Sequence, residues 1–183
     1  MRDGGTLAKA ERYFTILAHI AVLLGIPFFF YQQWEAERSD AVKATLTYVQ
    51  RFEESDMVAA RLALFDQWKR FPMGLMKAKG ADLSSAQDFA MKDMAVHEGQ
   101  GDKRVSEALF RFESFFTELA RCEETGVCAR NVADQHFREF ARRLSCLYGL
   151  YFADAEGRLG VEGFGSGIRE VAADATACGT KPP

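Results

Sequence analysis

Apolar positions along this chain fall into two kinds of pattern. From Tyr13 to Trp34 the residues YFTILAHIAVLLGIPFFFYQQW contain no Asp, Glu, Lys or Arg. A hydrocarbon layer roughly 30 Å thick is crossed by about 20 such residues in helical form, so this stretch predicts one transmembrane helix. Tyr13 at one end and Tyr31 with Trp34 at the other suit the two water interfaces. A cleaved secretory leader would have a shorter apolar run and small residues at its cut site, whereas bulky Phe28, Phe29, Phe30 and Tyr31 stand here. A buried core helix would carry a polar stripe, and only Thr15 and His19 interrupt the run before Gln32. His19 and Pro27 are the span's two irregular residues and its candidate contacts with a partner helix.

After Trp34 the apolar residues recur at helical spacing instead. Val42, Leu46, Val49 and Phe52 mark a first helix that continues the anchor. Val58, Leu62, Phe65 and Trp68 mark a second, with Ser55 as its N-cap. FPMGLMKAKGA, from Phe71 to Ala81, lacks sustained periodicity and predicts a loop. Asp82 can cap a third helix carrying Leu83, Ala86, Phe89, Ala90 and Met94, ended by HEGQGD. The clearest stripe is Val105, Ala108, Leu109, Phe112, Phe115, Phe116 and Leu119. A short turn then leads to Asn131, a candidate cap for a helix presenting Phe137, Phe140, Leu144, Leu147, Tyr148 and Tyr151. So short a connection predicts an antiparallel helical hairpin. The Gly-rich run EGRLGVEGFGSG, from Glu156 to Gly167, lacks both the preceding strand and the Lys-Ser/Thr pair of a phosphate loop, so it predicts a linker before a short last helix.

These segments predict an all-α protein: an N-terminal tail over 1–12, a transmembrane helix over 13–34, a bundle of about five helices over 35–155, and a linker with a short helix and tail over 156–183. Roughly 150 residues beyond the span are enough for one modest core. The formal charge of −3 and a pI near 5.7 supply no basic field, which sets nucleic acid aside as a partner. Sixteen phenylalanines demand a core or a partner surface rich in rings. Arg2, Lys9 and Arg12 crowd the chain before the span, while Arg38, Lys43 and Arg51 are spread beyond it, and this balance favours an internal N-terminus with the bundle outside.

The four cysteines, Cys122, Cys128, Cys146 and Cys178, are the remaining candidate chemistry. Cys122 and Cys128 flank the turn in CEETGVC, where folding back can bring them within bridging distance, leaving Cys146 and Cys178 as a second pair. Three pairings are open to four cysteines, and all four reduced, with Cys146 a small core residue, is a further alternative. An even count suits an oxidising compartment and an external domain. A zinc site is poorly served by a CX5C pair with two distant thiols. His97 and Glu98 lack the second His of a zinc-protease helix, no Glu-x-x-His pair offers a di-iron site, and Ser145 lacks a GxSxG frame. His136 near Asp134 and Glu139 reads as a solvated polar face.

The order of anchor, broken helix RFEESDMVAARLALF and hairpin FRFESFFTELARCEETGVCARNVADQHFREFARRL resembles an uncharacterised family of bacterial single-pass membrane proteins. That resemblance spans roughly Tyr13 to Tyr151 and implies an anchor followed by a small helical domain of unknown function; it brings no catalytic residues, cofactor or metal. The expected role is a non-catalytic accessory or scaffold subunit. It would sit in the bacterial inner membrane, with a periplasmic domain docked on a larger membrane protein complex and no small-molecule substrate. The alternative is a thiol-based redox sensor or redox protein using Cys122 and Cys128, with Arg121 and Arg130 favouring a thiolate and Glu123 and Glu124 opposing it.

Overall fold

A computed structural model describes residues 4–71, 83–160, 162–172 and 178, without the side chains of 4–25 and 159. Among the described residues the chain is all-α, with six helices: α1 (Gly4–Phe52), α2 (Ser55–Lys69), α3 (Leu83–Gly99), α4 (Arg104–Glu124), α5 (Arg130–Leu159) and α6 (Ser166–Ala172). Packing divides the chain after Asp40 into two units, Met1–Asp40 and Ala41–Pro183.

Within the first unit, helix α1, 49 residues long in all, passes Pro27 without a break. Its described side chains from Ile26 to Asp40 are all exposed. At 100° per residue, Ile26, Phe28, Phe29, Phe30, Tyr31 and Trp34 take up every side of the helix, so none of its faces is the polar one. Among the described residues no helix is long and apolar enough to cross a membrane. Most of the expected span, His19 included, lies in the part of α1 whose side chains fall outside those described.

The second unit is built around α4. All seven positions of its predicted stripe are buried, and Phe112, Phe116 and Leu119 are wholly so. Rings from α5 meet it in antiparallel order, with Phe140 5.0 Å from Phe112 and Phe137 5.4 Å from Phe115. Phe52, at the end of α1, inserts its ring 5.3–5.5 Å from Phe115, Phe137 and Phe140. Helix α2 packs on α4, α3 on α5, and α6 on both α4 and α5.

Local features depart from the sequence pattern. Helix α2 buries Met57, Ala60, Leu64 and Gln67, whereas the predicted Leu62 and Phe65 are exposed and Val58 and Trp68 half-buried. The helix is turned by about one residue because polar Gln67 has partners inside: its amide donates to Ala90 O at 3.1 Å and its carbonyl accepts from the Tyr148 hydroxyl at 2.7 Å. Trp68 Nε1 donates to the same hydroxyl at 2.8 Å, joining α2, α3 and α5 in one satisfied network. On α1 Phe52 is buried as expected and so is Thr45, while Leu46 is exposed. Ser55 is the first residue of α2 and Glu54 its N-cap, and Ala129 rather than Asn131 caps α5; neither N-cap makes a side-chain capping bond. Asp82 and most of the 71–81 loop lie outside the described residues, and Phe71 is buried.

The Gly-rich stretch is a packed turn. Helix α5 runs through Gly157 to Leu159 and ends on Gly160 at φ 63°, a left-handed position that suits glycine. Phe164 and Ile168 beyond it are buried in the same core as α4 and α5. Gly167 lies so close to α4 that a Cβ there would stand 2.5 Å from the Thr117 backbone. The predicted linker is therefore part of the core at this point.

Candidate functional site

The turn between α4 and α5 gathers more unusual chemistry than any other described segment of the bundle. Helix α4 ends at Glu124, and Gly126 at φ 74° reverses the chain, its N–H donating to Glu123 O at 3.1 Å. Thr125 turns its hydroxyl back to Arg121 O at 2.9 Å. The Cys128 N–H then reaches Cys122 O at 2.9 Å, which sets the two cysteines side by side with their Cα atoms 5.1 Å apart and joined as a disulfide. Cys128 is buried, Cys122 half-buried, and Glu124 to Val127 form an exposed tip.

This turn is fastened to α1. The Ala129 N–H, one of the orphan donors at the start of α5, donates to Thr45 Oγ1 at 2.8 Å and more weakly to Ala41 O at 3.3 Å. Thr45 in turn donates its hydroxyl to Ala41 O at 2.9 Å, so a fully buried side chain is satisfied in both directions. A lone Thr in an apolar stripe is no signal by itself; only its position opposite a helix start explains it.

Beside the bridge, Glu123 has a side chain only 10% exposed, and its Oε1 has no hydrogen-bond partner, the one such buried atom among the described residues. The Arg130 guanidinium stands 3.8 Å from the other oxygen. Burial, with Asp134 and Glu170 adding repulsion, pushes the Glu123 carboxyl above its ordinary range against the pull of Arg130 and Arg138. In the sequence Glu123 stands out only as a negative charge beside the two cysteines.

The second predicted pair is also bridged. Cys146, buried on α5, joins Cys178, with Cα atoms 5.5 Å apart, and the Cys146 carbonyl accepts from Gln87 Nε2 on α3 at 2.7 Å. No cysteine is left free.

Other candidate groups are dispersed. His136 is exposed; Asp134 pairs with Arg138, and Glu139 binds Arg142 and Arg143, which hold its carboxyl down to about 2. His97 approaches Asp93 at 3.6 Å. Burial would raise the Asp93 carboxyl, but the two-pronged contact from Arg70 outweighs it and keeps the carboxyl below its usual range. Among the described residues, no cluster of three or more His, Cys, Asp or Glu side chains could hold a metal ion. Pro27 is exposed within α1, and His19 lies outside the described side chains.

No protein-family model, curated protein or solved structure matches this chain.

Proposed function

We propose that this chain is a non-catalytic accessory or scaffold subunit, anchored in a bacterial inner membrane by Tyr13–Trp34, whose periplasmic bundle docks on a larger membrane protein complex. The observation that carries the reading is the collar from Ile26 to Trp34, where apolar and aromatic side chains stand exposed on every side of one helix. A helix apolar all round belongs in a core or in lipid. The sequence extends that collar to Tyr13 without a charge.

Two bridges beyond the collar support an oxidising side for the bundle, in keeping with the weak basic excess before the span. A docking subunit needs a rigid domain, and the bridges, the ring-filled core and the Gln67–Tyr148 network provide one. Purification in mild detergent followed by mass spectrometry tests the role. At least one integral membrane protein should travel with the chain in a fixed ratio; recovery as a lone monomer would sink the reading.

The second reading is a thiol redox protein using Cys122 and Cys128. Its support is the exposed tip from Glu124 to Val127, which gives a reductant access to the bridge. Burial of Cys128 and the absence of a settled positive field around the pair weigh against it. Thiol trapping in cells under reducing challenge separates the two: a structural bridge stays oxidised, a redox pair opens.

A further inference from the structure

A second feature of the bundle lies away from the bridged turn. Between the end of α3, the first turns of α4 and the C-terminal half of α5 is an open cavity of about 230 Å3, bordered by Glu98, Lys103, Phe110, Tyr151, Ala155 and Arg158. Tyr151 is 5% exposed. Its neighbour Tyr148 has both a donor and an acceptor on its hydroxyl, yet the Tyr151 hydroxyl joins no hydrogen bond among the described residues. Tyr151 is among the residues that line the cavity.

The surrounding groups give the cavity a definite chemistry. Burial, reinforced by Glu98, pushes the Tyr151 phenol up to about 12, so at neutral pH it is a hydrogen-bond donor. Lys103 forms no ion pair among the described residues, whereas Arg158 is engaged by Asp154 at 2.7 Å. Phe110 is 42% exposed and braced by Phe164, 4.9 Å away, which makes it an apolar wall beside the phenol. Glu98 on the same rim repels a second negative charge.

We propose that this cavity binds a small monocarboxylate with an aromatic or short aliphatic body. The carboxylate accepts from the Tyr151 hydroxyl and pairs with the Lys103 ammonium, while the body rests on Phe110 and Ala155. Charge-assisted bonds of this kind fix orientation, and the apolar wall supplies the contact area. Dicarboxylates are disfavoured by Glu98 and cations by Lys103.

Phenylacetate is a suitable probe, for which a fragment of its size implies a Kd on the order of 1 mM. The full chain in detergent micelles, isotopically labelled, is titrated with phenylacetate, succinate and phenethylamine while the resonances of Phe110, Tyr151 and Ala155 are followed. Phenylacetate should give saturable shifts confined to these residues. Tyr151→Phe and Lys103→Glu should each weaken binding about tenfold, the worth of roughly one charge-assisted bond, with the rest of the spectrum unchanged. Because Lys103→Glu is studied in the same micelles, partition into detergent is told apart from binding. The proposal is overturned by no saturable shift up to about 20 mM phenylacetate. Phenethylamine or succinate binding as well as phenylacetate, or equal affinity in Tyr151→Phe, would also overturn it.

Discussion

Phe28, Phe29 and Phe30 in α1 are 61–64% exposed, while Phe112, Phe115 and Phe116 in α4 are at most 1% exposed. The residue type is the same and so is the helical backbone. What differs is the company each ring keeps in sequence. Around α4's rings, Glu107, Arg111, Glu118 and Arg121 occupy the other face and give the helix one direction to bury. Around α1's rings no charge appears until Glu35, so the segment has no one side to bury. A ring in α4 should thus govern folding of the bundle, and a ring in α1 should govern partition into lipid.

The largest effect that sharpens this contrast is Phe116→Ala. Deleting a wholly buried ring should cost about 3–5 kcal/mol of bundle stability, seen as a lower denaturation midpoint, and leave membrane attachment unaltered. Phe29→Ala should leave that midpoint within about 0.5 kcal/mol. Equal losses from the two would erase the distinction.

Replacing Cys146 and Cys178 together with Ser comes next. The bridge closes a separation of 32 residues, for which the chain-entropy account gives about 3–4 kcal/mol, and urea unfolding with and without reductant measures it. Thr45→Val should cost about 1–3 kcal/mol, because the Ala129 N–H loses its near acceptor while the apolar volume is kept. Faster hydrogen exchange at Ala129 would accompany that loss, and exchange as slow as in the parent would contradict the fastening.

The smallest expected effect is a change of slope with pH. Glu123 in the folded chain holds its proton above the unfolded value, so between those two values the native state binds more protons and stability falls as pH rises. The penalty is complete above the folded value. Asp93, Asp102 and Glu139 act oppositely: their carboxyls are lowered by arginine partners, and their stabilisation disappears as pH falls through the acidic range below their ordinary values. Glu123→Gln should therefore raise the melting temperature at pH 7 relative to pH 5, compared with the parent. An identical pH profile would show that Glu123 is not strained by ionisation.

Much of the bundle can be read directly from periodicity. The α4 stripe is buried in full, and on α5 Phe137, Leu144, Tyr148 and Tyr151 are buried while Phe140 and Leu147 pack partly against the core. The Cys122–Cys128 bridge was visible because two cysteines flank one tight turn. The face of α2 was not, since a hydrophobic count places Gln67 outside, and only Tyr148 and Ala90, 81 and 23 residues away, show why it lies inside. Thr45 escaped for the same reason, its partner being 84 residues distant. The glycines of 156–167 signal looseness by composition, yet Gly160 and Gly165 supply left-handed turns and Gly167 a close approach to α4. Periodicity reports which face is apolar; it does not report polar partners or backbone approaches made by distant segments.

On the proposed role, the stretch from Tyr13 to Trp34 resides in lipid. Membranes from cells making the full chain are washed in alkaline carbonate, which strips peripheral proteins and leaves spanning helices in place. The chain should remain in the membrane pellet with its bridges intact. Its appearance in the supernatant would contradict the anchor, and with it the assignment of the bundle to the outer face.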